Sequence, residues 1–84
     1  MNYSTQVWNQ LKNVTVTDLV RALEKSGWQR DEKTGNIYVY RHTDGRRIGI
    51  HYHPHKTYGA KTLKGLLEDI NWSEAELKQL KMIK

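Results

Sequence analysis

The chain has 84 residues, a net charge of +5 and no cysteine. That describes one small domain, burying about 60–65% of the surface its unfolded form exposes, with no disulfide framework and no thiolate metal site. The opening residues, Met1 to Trp8, lack the basic-then-apolar pattern of a signal peptide, and no run of about 20 apolar residues is present to span a membrane, so the cytoplasm is the expected compartment.

Residues 1–13 have weak periodicity; Val7, Trp8 and Leu11 suit either an amphipathic turn or an added strand. The first clear helix starts after Thr15, where Thr15 and Asp18 have the spacing of an N-cap and its reciprocal acid. Val16, Leu19, Val20 and Leu23 form its apolar stripe, and Gly27 is its natural stop. A short strand over Trp28–Asp31 and a turn at Lys33-Thr34-Gly35 are expected next. They lead into a hairpin from Asn36 to His53, whose turn signal is Asp44-Gly45.

Taken as a two-residue loop, that turn pairs Arg41 with Ile48, Val39 with Ile50 and Ile37 with Tyr52 on an apolar face. The opposite, open face then carries His42 with Arg47, Tyr40 with Gly49, Tyr38 with His51 and Asn36 with His53. After Pro54 a loop leads to a helix from about Ala60, with Leu63, Leu66, Leu67 and Ile70 inward. Ser73 and Glu76 form a capping box that opens a short last helix. The expected fold class is α+β: a three-stranded antiparallel sheet with helices packed on one face, in the order α-β-β-β-α plus a short C-terminal helix. Residues 1–84 form one domain: an N-terminal extension (1–14), a core (15–72) and a C-terminal helix (73–84).

The charge is not evenly spread. Residues 36–66 hold Arg41, Arg46, Arg47, Lys56, Lys61 and Lys64 against Asp44 alone, together with all four histidines, while the flanking segments nearly cancel. Such a local field attracts polyanions, nucleic acid foremost; the plainer reading is a basic face that serves solubility. Tyr38 and Tyr40 can stack on bases, and Arg41, His42, Arg46, Arg47, Lys56, Lys61 and Lys64 can meet phosphates, which makes these nine the candidate RNA-binding residues. The plainer reading of the tyrosines is strand propensity. Trp28 and Trp72 flank helix ends and are expected in the core.

His51 and His53 point to one side of a strand, close to Lys56, Lys61 and a helix N-terminus. An imidazole beside a phosphate can move a proton to or from a 2′-hydroxyl, so His53 with His51 is the candidate catalytic pair. The alternative is that both only help to bind. A zinc site on His51, His53 and His55 is disfavoured, because Pro54 interrupts the strand and no acid or cysteine completes the shell. No metal and no cofactor are expected.

Several of these stretches are similar to the HicA-type (YcfA-like) toxins: Asp18 to Trp28 resembles their opening helix, Tyr40 to Ile48 their hairpin, and His53-Pro54 and Lys61-Thr62-Leu63 through Leu67 the segments that follow. The resemblance spans about residues 15–72. It implies a fold like that of a double-stranded-RNA-binding domain and an mRNA-cleaving toxin neutralised by a HicB-like antitoxin. The family carries Gly-Ser-His at the start of its second strand, and that histidine is held to perform cleavage; here the stretch reads Gly35-Asn36-Ile37. His53 matches the family's second histidine. The alternative function is a non-catalytic RNA-binding or partner-binding module of the same fold.

Overall fold

The structure is a computed structural model and describes residues 3–84, so the first two residues of the N-terminal extension lie outside it. Seven elements follow in order: α1 (Thr5–Leu11), α2 (Val16–Lys25), β1 (Gln29–Thr34), β2 (Ile37–Arg41), β3 (Arg47–His51), α3 (Ala60–Ile70) and α4 (Glu74–Gln79). The strands form one antiparallel sheet in the order β1-β2-β3. The helices pack on one of its faces, as the α+β reading requires.

The caps legible in the sequence hold the helices. The Thr15 hydroxyl accepts from the Asp18 amide and the Asp18 carboxylate accepts from the Thr15 amide; Ser73 and Glu76 do the same for α4. Each box satisfies two amide donors that a helix start leaves free. α2 ends at Gly27 in the left-handed region (φ +89°), with the Trp28 amide donating to the Leu23 carbonyl and the Gly27 amide to the Glu24 carbonyl. This closing motif drops Trp28 into the core, where it is 2% exposed.

One core joins every helix to the sheet. Leu19, Leu23, Leu63, Leu67, Ile70, Trp72 and Leu77 are fully or almost fully buried, and Tyr40, Ile48 and Ile50 meet them from the sheet. The N-terminal segment that the sequence left open is a helix. At seven residues α1 is too short to stand alone, and tertiary contacts hold it. The Tyr3 hydroxyl donates to the Trp72 carbonyl at 2.5 Å, the Ser4 amide to Glu74, and the Lys84 amide to Gln10 at 2.7 Å. Val7 and Leu11 join the same core as Leu77, Met82 and Ile83.

The hairpin register differs from the expected one by a residue. Ile37 pairs with His51, Tyr38 with Ile50, Val39 with Gly49, Tyr40 with Ile48 and Arg41 with Arg47. The loop is the three residues Thr43-Asp44-Gly45, closed by the His42 amide donating to the Arg46 carbonyl and the Gly45 amide to the His42 carbonyl. A two-residue type I′ loop would need positive φ at both central residues; only Gly45 has it (φ +100°), and Asp44 does not. The Asp44 carboxylate instead accepts the Arg46 amide at 3.0 Å, which stabilises the three-residue turn. As a result Tyr38 and Tyr40 turn toward the helices, and Ile37, Val39 and Arg41 take the open face. β1 is also longer than expected, reaching Thr34 before a turn at Gly35-Asn36, with a bulge between Arg30 and Glu32.

α4 ends in the same motif as α2, with the Met82 amide donating to the Leu77 carbonyl and the Lys81 amide to the Lys78 carbonyl. Here, however, the left-handed position is a lysine (Lys81, φ +62°). Lys81→Gly relieves that conformation and is expected to stabilise the protein by about 1 kcal/mol, raising the melting temperature by about 4–8 °C in a thermal scan.

Candidate nucleic-acid interface

The open face of the sheet carries Ile37, Val39 and Arg41 from β2, Arg47, Gly49 and His51 from β3, and Glu32 from β1. Ile37 is 42% exposed, the one exposed large hydrophobic among the described residues. Its strand partner is His51, so an aliphatic side chain stands next to an imidazole at one end of this face. His53 continues the His51 side of the strand: the two rings are parallel within 2°, their centroids 6.4 Å apart, and both residues are exposed. No group of three or more histidine, aspartate or glutamate side chains among the described residues is placed to hold a metal ion.

The loop that carries His53 is tied to the start of α2. The Val16 amide donates to the Lys56 carbonyl (3.0 Å), and the Thr17 amide and hydroxyl both donate to the Pro54 carbonyl (3.3 and 2.8 Å). Thr15 and Thr57 form an isolated antiparallel bridge beside them. These bonds satisfy α2 donors that have no partner within the helix and, in return, hold His53 and Lys56 next to β3. Burial pushes the Tyr58 phenol up to about 12, with nearby Tyr40 adding to the shift, so this ring stays neutral near pH 7 and serves as a wall of the site, not a base. Lys61 and Lys64 are exposed on α3, whose N-cap is Gly59 and therefore has no capping side chain.

The register sorts the remaining candidates differently from the sequence reading. Tyr40 is 1% exposed and belongs to the core. Tyr38 is half-buried: Tyr52 stacks on it with centroids 4.5 Å apart, and Arg30 and Lys33 lie 5.2 and 5.5 Å from its ring centre. Neither ring lies on the open face. His42 also lies on the helix side, packed edge-on against Trp28. Its Nδ1 sits 3.3 Å from the Asp44 amide nitrogen and 3.2 Å from the Asp44 carboxylate, so it accepts from the amide when neutral and donates to the carboxylate when charged.

Arg46 is a structural strut. Its Nε donates to the Asp44 carboxylate at 2.8 Å, its Nη1 donates to the Ile70 carbonyl at the end of α3, and its guanidinium lies over the Trp28 ring at 5.0 Å. The amide of Arg46 is the largest influence holding the Asp44 carboxyl below its ordinary value; slight desolvation opposes it, and the Arg46 side chain and His42 reinforce it. Asp44 therefore favours the folded state at neutral pH, and that contribution is lost as the pH falls from its ordinary value through the lowered one.

Arg41 and Arg47 do lie on the open face, but each has an acidic neighbour from β1: Asp31 at 3.0 Å from Arg41 and Glu32 at 3.4 Å from Arg47. Both pairs are exposed, so they are weak and exchangeable for a phosphate partner. The structure thus brings together His51, His53 and Lys56 at one end of the sheet and Arg41 and Arg47 along its open face. The sequence reading missed the pinning role of Thr17; nothing in the helix pattern marks it.

The HicA toxin family, described as the HicA toxin of bacterial toxin–antitoxin systems, matches residues 16–72. The chain belongs to this family. The match covers α2 through Trp72 and leaves out α1 and α4, the two helices whose flanking segments clasp each other. A comparison with curated proteins finds no match. As a HicA-family toxin the chain implies an antitoxin partner. No helix among the described residues is long and apolar enough to cross a membrane.

Two substitutions test the geometry. Arg46→Ala is expected to destabilise the fold by about 1–3 kcal/mol in urea unfolding, with Arg46→Lys recovering little because a lysine cannot fork between Asp44 and Ile70. Thr17→Val removes the hydroxyl that donates to Pro54. It should speed amide exchange selectively at Lys56, whose amide donates to the His53 carbonyl within the loop, while β2 exchanges as before.

Proposed function

We propose that this toxin binds single-stranded mRNA along its open sheet face, cleaves it with the His51–His53 pair in the cytoplasm, and is held inactive by a HicB-like antitoxin that covers the same face. The observation that carries this reading is the pair of parallel, exposed imidazoles beside Lys56. Two imidazoles on one side can divide the proton transfers that RNA cleavage needs. One takes the proton of a 2′-hydroxyl as its oxygen attacks the adjacent phosphorus. The bond from phosphorus to the 5′-oxygen breaks, and the other imidazolium gives its proton to that leaving oxygen. The products are a 2′,3′-cyclic phosphate and a free 5′-hydroxyl.

Arg41, Arg47, Lys56, Lys61 and Lys64 supply the backbone contacts in this reading, exchanging Asp31 and Glu32 for phosphates. Position 37, where the related toxins have histidine, holds Ile37 across from His51. The imidazole is then provided by the neighbouring strand.

Ile37 also supports a second reading, a non-catalytic RNA-binding or partner-binding module, because an exposed isoleucine is a binding group and not a proton carrier. Incubation of the pure protein with a long single-stranded RNA separates the two. Cleavage that persists in EDTA, follows a bell-shaped pH profile and falls about 10²–10⁴-fold in His53→Ala and His51→Ala supports the nuclease. Intact RNA with a salt-dependent mobility shift supports the module.

A further inference from the structure

We propose that the cavity between the outer edge of β3, the loop after His53 and α3 is a pocket for one unstacked pyrimidine base of single-stranded RNA. This rests on the RNA-binding reading above and adds a base preference to it.

The cavity has a volume of about 180 Å³, with walls that are almost wholly apolar: Val16, Ile50, Tyr58 and Leu66. An apolar cavity of about 150 Å³ accepts a single benzene ring. A six-membered base therefore fits easily, and a fused two-ring purine fits more tightly. Single-stranded RNA is commonly recognised by bases turned out of the stack onto aromatic and apolar side chains.

The rim has the polarity that a nucleotide needs. His51, His53 and Lys56 border the cavity, so a base seated in it leaves its own phosphate at the imidazole pair. The base edge also finds partners. The Tyr52 amide donates to the Asn36 carbonyl and the Arg46 carbonyl accepts from the His42 amide, so the even-numbered residues of this strand bond toward β2. By the alternation of an antiparallel ladder, Gly49 and His51 direct their N–H and C=O groups to the outer edge, where the cavity lies. Gly49 has open space where a Cβ would stand, so no side chain overhangs its backbone on the open face beside that edge. A free strand edge also suits an added peptide strand, but the basic residues at the rim favour a polyanion.

The test titrates the isotopically labelled full chain with uridine and cytidine 3′-monophosphate and with their adenosine and guanosine counterparts. It also measures binding of oligo(U) and oligo(A) by the parent protein and by Thr62→Trp, which places an indole in the cavity from an exposed position on α3. Pyrimidine nucleotides are expected to shift the amides of Gly49, His51, Lys56 and Tyr58 saturably. Thr62→Trp is expected to weaken oligo(U) binding about tenfold while leaving oligo(A) binding unchanged. Equal binding of oligo(U) and oligo(A), unaffected by Thr62→Trp, overturns the pocket and leaves the RNA reading standing. Failure to bind any RNA sinks both. Protection of the Gly49 and His51 amides by a protein partner, with no shift from any nucleotide, assigns the cavity to strand addition and also overturns the proposal.

Discussion

The carbonyls of Pro54 and Lys56 accept the first amides of α2, and the arrangement of the candidate site depends on that contact. A helix start always leaves donors without partners inside the helix, and burying them unpaired costs about 1–3 kcal/mol each. Thr15 and Asp18 satisfy part of this demand locally, and the loop after β3 satisfies more of it from a distance. The loop is held because the helix needs it. His53 and Lys56 acquire fixed positions on a segment that has little regular structure of its own, and Tyr58 closes the cavity behind them.

The two faces of the sheet divide the work. On the helix side, Tyr40, Ile48 and Ile50 fasten the strands to α2 and α3, and the guanidinium of Arg46 ties the hairpin tip to the end of α3. The open side buries little and keeps its arginines in loose pairs with Asp31 and Glu32. Those acids lower the positive field of this face, and pairs so exposed are weak.

The helices were legible because their signals are local. Capping residues, apolar spacing and the stopping Gly27 each act within a few positions, and α2, α3 and α4 follow from them. The hairpin was half legible. Ile48 and Ile50 alternate with polar residues, so their inward direction, and the outward direction of His51, follow from β3 alone. β2 reads Ile37-Tyr38-Val39-Tyr40, and either pair of this run can be buried. The choice falls to the loop, and Asp-Gly is compatible with loops of two or three residues. The negative φ of Asp44 and its bond to the Arg46 amide decide it, and neither is visible in the letters. Tyr38, Tyr40 and His42 therefore lie on the face opposite to the one a two-residue loop gives them. α1 was not legible because its stability comes from residues about seventy positions away.

That last dependence bears on how the protein is made. Tyr3 donates to Trp72, Ser4 to Glu74, and Gln10 accepts from Lys84. Contacts of such long sequence separation cannot form on a growing chain until the ribosome has polymerised residues 72–84 and let them emerge. The middle of the molecule, with its hairpin and imidazoles, is synthesised well before the clasp that joins its first and last helices. Completion of the fold thereby waits for residues 72–84, which leaves an interval during translation in which the newborn toxin is not yet fully assembled.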